Sequence, residues 1–115
     1  MHELIRSIKA ISDPARVRIL MALEERERCV CELTQLLHLA PSTVSRHLSL
    51  LSYAGFVRSR REGRWVFFRL ASENEMLPFL PGLLQWLRES LSESEEIVAD
   101  REKLARLDQE DLCRP

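Results

Sequence analysis

At 115 residues the chain is long enough for one domain with helical extensions. It carries 17 basic and 18 acidic side chains and no apolar stretch that approaches the length of a membrane span, which excludes a membrane-spanning helix. Its three cysteines do not form a disulfide framework, and no charged segment precedes an apolar core near Met1, so we expect a cytoplasmic protein.

Helical periodicity predicts four helices in the first half of the chain. The first covers residues 2–11, and the second begins at Pro14, behind Ser12-Asp13, and reaches about Glu25. Ser42 is a good N-cap for the fourth helix, which Gly55 ends. The predicted inward positions of the third and fourth helices are Leu33, Leu36, Leu37, Val44, Leu48 and Leu51.

The periodicity then changes to that of a β-hairpin. Two runs rich in β-formers, Phe56–Arg61 and Arg64–Leu70, flank Glu62-Gly63. A last long helix is expected to begin near Pro78 or Pro81 and to pass Val98. Helix-turn-helix followed by a hairpin predicts a mainly α, α+β fold of the winged helix-turn-helix type.

The predicted winged domain leaves two helices with apolar stripes that need a partner surface. These are the first and last helices, so a two-fold homodimer through them is the expected assembly. Residues 1–100 then form the DNA-binding and dimerisation domain, and residues 101–115 form a partly disordered tail, frayed from about Leu107, that carries Cys113. The stripe residues expected at the interface are Leu4, Ile8, Leu84, Leu87 and Leu91.

The charge of the central segment favours a polyanionic partner. Between residues 41 and 70 the only acid is Glu62, whereas acids dominate after Ala71. The N-terminal part of a recognition helix points at base edges, and Arg46 suits a bidentate contact to guanine. We therefore predict binding to double-stranded DNA through the fourth helix (Thr43, Ser45, Arg46, His47) and the wing (Arg60, Arg61, Arg64).

Cys29 and Cys31 form a pair of soft ligands ahead of that helix. Side chains two residues apart diverge by about 200° on a helix but point the same way in an extended segment. Joint coordination therefore requires the first turn of the third helix to be extended or unwound. Two thiolates suit a soft ion of low coordination number, and Cys113 is either a third ligand or an inert tail residue.

The segment Ile11-Ser12-Asp13-Pro14-Ala15-Arg16-Val17-Arg18-Ile19-Leu20 resembles the second helix of the ArsR/SmtB family of metal-sensing winged-helix repressors. The box Cys29-Val30-Cys31-Glu32-Leu33 resembles that of its arsenic-responsive members. Residues 42–51, Gly55 and the segment 62–70 resemble the recognition helix and wing. The resemblance implies a homodimer that binds its operator when metal-free and releases it when As(III) or Sb(III) binds.

Carried over residue by residue, the resemblance makes Cys29 and Cys31 the inducer ligands. The positions that it places against DNA are Ser42, Thr43, Ser45, Arg46 and His47. Some arsenic sensors have a third cysteine three residues after the second, where this chain has Thr34. The cysteines near the N-terminus of cadmium and lead sensors are absent here, as are the last-helix histidines of zinc sensors, and both absences favour arsenic.

Other functions of the cysteines remain open at this point. A repressor of the same fold that senses cadmium, lead or zinc, or one whose thiols sense oxidants, would share the DNA-binding machinery. A thiol-disulfide enzyme would need a C-x-x-C motif and alternating strands and helices, which the chain lacks. With no Ser/His/Asp arrangement, phosphate-binding loop or paired carboxylates, we predict no catalysis and no catalytic cofactor.

Overall fold

The computed structural model describes residues 1–110 and has the predicted mainly helical architecture with a β-hairpin wing. Its helices are α1 (His2–Ala10), α2 (Pro14–Leu23), α3 (Val30–Leu37), α4 (Pro41–Tyr53), α5 (Leu80–Ser90) and α6 (Glu95–Glu110). A short 3-10 turn, Glu73–Glu75, leads from the wing towards α5.

Local capping explains where α2 and α4 begin. Asp13 accepts hydrogen bonds from the backbone N–H groups of Ala15 and Arg16, at 2.8 and 3.3 Å, and Pro14 occupies the first turn. The predicted cap of α4 is wrong by two residues, because Ala40 is the N-cap and a second proline starts the helix. Ser42 is thereby placed inside the first turn with an exposed side chain.

The sheet contains one strand more than the sequence predicts. β2 (Val57–Glu62) and β3 (Trp65–Leu70) form the expected hairpin, and its turn is sharp because Gly63 adopts φ +60°. The additional strand is β1 (Arg28–Cys29), which pairs antiparallel with β3 and gives the order β1-β3-β2. The cysteine box is therefore tied directly to the wing.

The prediction of a single last helix is wrong, because the structure has two helices, α5 and α6, separated by residues 91–94. The hydroxyl of Ser94 accepts from the N–H of Ile97 at 3.4 Å and starts α6. The predicted fraying from about Leu107 is also wrong for residues 107–110, because α6 remains helical up to Glu110. α6 thus crosses the predicted boundary at residue 100, while residues 111–115, including Cys113, lie outside the described part.

One hydrophobic core joins α2, α3 and α4 to α5 and α6. This packing changes the expected dimer surface, because Leu84 and Leu87 are buried within their own chain whereas Leu4 and Ile8 on α1 are exposed. No helix within residues 1–110 combines the length and apolar character needed to cross a bilayer.

Candidate nucleic-acid interface and thiol site

The outer face of α4 presents exposed polar side chains. Val44, Leu48 and Leu51 are fully buried against the core, so helical periodicity directs the intervening positions outwards. The exposed side chains include Ser42, Ser45 and Arg46, while Thr43 is half-buried at the rim. Three of the five predicted DNA-facing residues of this helix are therefore exposed.

His47 departs from this pattern. Its side chain is only 6% exposed, and its Nδ1 lies 3.1 Å from an Nη of Arg16 on α2, so its predicted exposure is wrong. Burial lowers the pKa of His47, and the positive charges of Arg16 and Arg46 act in the same direction, although Asp13 opposes them. The imidazole links α4 to α2 and faces away from the outer surface of the helix.

The three wing arginines differ in their surroundings. Arg60 lies in mid-strand, where its Nε is 3.0 Å from both carboxylate oxygens of Glu27 and its Nη1 is 3.1 Å from Glu62. Its guanidinium also lies 4.7 Å from the ring centroid of Phe67, the residue opposite it on β3. These acids raise the pKa of Arg60 further and offset much of its charge towards a polyanion.

Arg61 and Arg64 lie near the exposed tip of the wing. Arg61 is opposite Val66, and the guanidinium of Arg64 lies 5.9 Å from the ring centroid of Trp65. Within residues 1–110 neither of these arginines forms an ion pair. Their positive charges are therefore more available to phosphate than that of Arg60.

Cys29 lies at the junction of β1 and α3. It is the last residue of the strand and the N-cap of the helix, with extended φ −84° and ψ 164°. Cys29 is only 1% exposed, because it packs on Phe67 with Trp65 beside it. This burial raises the pKa of Cys29, so the protonated thiol is favoured in this conformation.

Cys31 is the second residue of α3 and is exposed. The two predicted ligands thus lie in different environments, one beneath the wing and one at the surface. Over residues 1–110 no group of three His, Cys, Asp or Glu side chains is arranged to hold a metal ion. Cys113, which the sequence leaves as either a third ligand or an inert tail residue, lies outside this part.

Sequence reasoning missed the ionic residues around this junction. Arg28, next to Cys29, is fully buried and forms ion pairs with Glu32 and with Asp108 of α6. A glutamate three residues after an N-cap is a recognisable capping-box signal. The contribution of Asp108, eighty residues from Arg28, has no local signal.

The comparisons with known proteins agree with this geometry. Residues 13–59 match the family model described as bacterial regulatory protein, arsR family, which includes both box cysteines and all of α4. The arsenic resistance transcriptional regulator ArsR1 of Pseudomonas putida is 46% identical over 66 residues, 56% of this chain and 52% of the relative. This chain therefore spans about half the length of that relative.

Two further matches cover more of the molecule. The arsenic resistance transcriptional regulator ArsR2 of Pseudomonas putida is 37% identical over an alignment of 89 residues, and the match covers 71% of this chain and 77% of the relative. The solved homodimeric winged helix-turn-helix DNA-binding domain Mb0332 of Mycobacterium bovis is 26% identical, with a TM-score of 0.67 and coverage of 82% of each chain.

Proposed function

Because this chain belongs to the ArsR family of bacterial regulatory proteins, we propose that it is a repressor that releases its operator when trivalent arsenic or antimony binds Cys29 and Cys31. The observation that carries this proposal is the position of the box. Cys29 is paired with Phe67 of the wing, and α3, which begins at the box, packs against α4. A ligand at the box therefore acts on both DNA-binding elements.

Operator binding is assigned to the outer face of α4 and the tip of the wing. Arg46 reads bases from the major groove, while hydroxyls at Ser42, Thr43 and Ser45 contact phosphate or bases. Arg61 and Arg64 supply charge to the backbone, and Arg60 contributes less because of its acidic partners.

The release mechanism follows from the two environments of the cysteines. Cys29 already has extended backbone, so unwinding the first turn of α3 would bring Cys31 towards it. Cys29 must also leave Phe67 and lose its proton to bind as a thiolate. Both movements disturb the contacts that position α4 and the wing. Cys113 is proposed as the third thiolate.

The direct test is fluorescence anisotropy of labelled operator DNA, titrated with arsenite in the reductant TCEP. Cys29→Ser and Cys31→Ser should keep the operator affinity of the wild type, because neither residue faces DNA, and should abolish release. Cys113→Ser should weaken the response to arsenite if that thiol is a ligand. If both box variants released the operator DNA at the same arsenite concentration as the wild type, the inducer site would lie elsewhere in the protein.

A second candidate is a repressor of the same fold whose thiols respond to oxidants, which is favoured by the exposed position of Cys31 at the surface. The two functions separate when the reduced protein is treated in parallel with arsenite, hydrogen peroxide and cadmium. Arsenic sensing requires release by arsenite in excess TCEP. Release by peroxide alone, reversed by TCEP, would instead establish oxidant sensing, and release by cadmium at lower concentration would establish a divalent-metal sensor.

We also propose a homodimer through α1 and the last helices. Leu4, Ile5 and Ile8 are exposed along α1, and Trp86 of α5 is 59% exposed. Large apolar side chains clustered on one helix mark an interaction surface. Ile8→Glu should give monomers in sedimentation and weaken operator binding, since it would bury a charge at the interface. Ser59→Glu, at an exposed position of β2 outside these helices, is the control and should remain dimeric.

A further inference from the structure

A buried ionic cluster connects the cysteine box to the end of α6. Arg28 is 0% exposed, and its Nε donates to the carbonyl of Ala22 at 3.1 Å. Its Nη1 donates to Glu32 at 3.3 Å and to Asp108 at 2.8 Å, and its Nη2 donates to Glu25 at 3.2 Å. A buried arginine requires such partners, because an unpaired charge in this position would be strongly destabilising.

Glu32 connects this ionic cluster to Cys29. One of its carboxylate oxygens accepts from Arg26 at 2.7 Å and from Arg28, and the other accepts from the backbone N–H of Cys29 at 3.3 Å. Arg26 also binds Asp108. The carboxylate of Asp108 therefore reaches the N-cap of α3 through two arginines and one glutamate.

α6 has a second attachment that does not involve the box. Asp100, near the middle of the helix, forms a bidentate pair with Arg18 of α2 at 2.8 and 2.9 Å. Ile97 and Leu104 are buried in the main core. Loss of the contact at Asp108 should therefore leave α6 in place and free only its last turn and the box.

We propose that Asp108 and Arg28 are positioning residues for inducer sensing, which hold Cys29 beneath the wing and so set the inducer concentration that the switch requires. This inference rests on the proposed function for its biological meaning. Its physical basis is that contacts present only in the ligand-free conformation lower the apparent affinity for a ligand that needs the other conformation. Chelation requires Cys29 to move, and Glu32 holds its N–H.

The test is the rate at which iodoacetamide alkylates Cys29 in the full chain, measured by peptide mass spectrometry in TCEP. Since Cys29 is 1% exposed, this rate reports opening of the box. Asp108→Asn should increase it about fivefold to tenfold, because a charge-assisted contact of the closed state is weakened. Asp100→Asn is the matched control on the same helix and should leave the rate within about twofold of the wild type.

Equal rates for the wild type and Asp108→Asn would overturn the proposal, as would equal acceleration by both variants, which would indicate general loosening of α6. Because alkylation needs no inducer, the outcome is independent of arsenic sensing. Where arsenite does release the wild type, Asp108→Asn should release at a several-fold lower concentration with unchanged operator affinity. A faster alkylation rate in a protein that ignores arsenite would support the positioning role and reject the proposed inducer.

Discussion

The outer face of α4 and the cysteine box are both parts of the proposed switch, but they differ in whether their side chains must move before they can bind a ligand. On α4, Ser45 and Arg46 are exposed, and within residues 1–110 neither side chain forms an ion pair that would have to break before it meets a ligand. At the box, Cys29 is buried under Phe67 while Cys31 faces outwards. The proposed DNA-reading surface is already exposed in this conformation, whereas the proposed inducer site is not yet assembled.

This difference is what a repressor that is active without ligand requires. A reading surface works by being preorganised, since each contact then loses little conformational entropy on binding. A sensing site must bind its ligand more tightly in the conformation that releases DNA, because a ligand shifts an equilibrium only through its differential affinity for the two conformations. The residues around Cys29 therefore contribute to the stability of the fold, whereas the exposed residues on the outer face of α4 are available for the proposed contacts with DNA.

The largest expected effect is on stability. Arg28→Met should lower the free energy of unfolding by about 3 kcal/mol, because it removes a buried charge from the network around the buried Glu32. Arg46→Ala, on the exposed face of α4, should change it by less than about 0.5 kcal/mol. Urea unfolding followed by circular dichroism measures both. Comparable losses in the two variants would remove the distinction between the regions.

The second effect concerns operator recognition. Arg46→Ala should cost about 1–3 kcal/mol of binding free energy on the cognate operator and much less on random DNA, if its guanidinium reads guanine. Anisotropy titrations with the two DNA molecules at one salt concentration give the comparison. Equal losses on both would show that Arg46 supplies charge to the backbone and reads no base.

A smaller effect should separate the wing arginines. Arg61→Ala should reduce the slope of log affinity against log salt by about one, as expected for one phosphate contact. The reduction for Arg60→Ala should be smaller, because Glu27 and Glu62 already neutralise that side chain. Identical slopes for these two variants would mean that the acidic partners of Arg60 release it when DNA binds.

Much of this fold follows from local sequence patterns. The burial of Val44, Leu48 and Leu51 follows from helical periodicity, and the hairpin follows from Glu62-Gly63 between two β-rich runs. The break between α5 and α6 was missed because leucines continue at helical spacing across it, and Ser94 was not recognised as a cap.

The candidate site was less predictable because its determinants are non-local. The divergence of Cys29 and Cys31 could be anticipated from their spacing, but the burial of Cys29 depends on strand pairing with Phe67, thirty-eight positions away. The buried state of Arg28 depends likewise on Asp108. In a polar stretch such as Glu24–Arg28, no periodicity distinguishes a buried arginine from an exposed one.

His47 provides the smallest and most selective test, because it belongs to α4 but lies on its buried side. Its pKa is lowered in the folded protein by burial beside Arg16, so the unfolded chain binds a proton more readily. Stability should therefore fall as the pH drops below about 6.5, the ordinary value for histidine, and this loss should level off below the folded-state pKa.

His47→Gln keeps a polar group near Arg16 and removes the titration. Urea unfolding at pH 7.5 and 5.5 should show a smaller loss of stability in this variant than in the wild type, whatever the offset between them at pH 7.5. All other ionisable groups are common to the two proteins, so their contributions cancel in the difference. Parallel pH dependence of the two proteins would mean that folding does not lower the pKa of His47, and that its contact with Arg16 does not shield it from water.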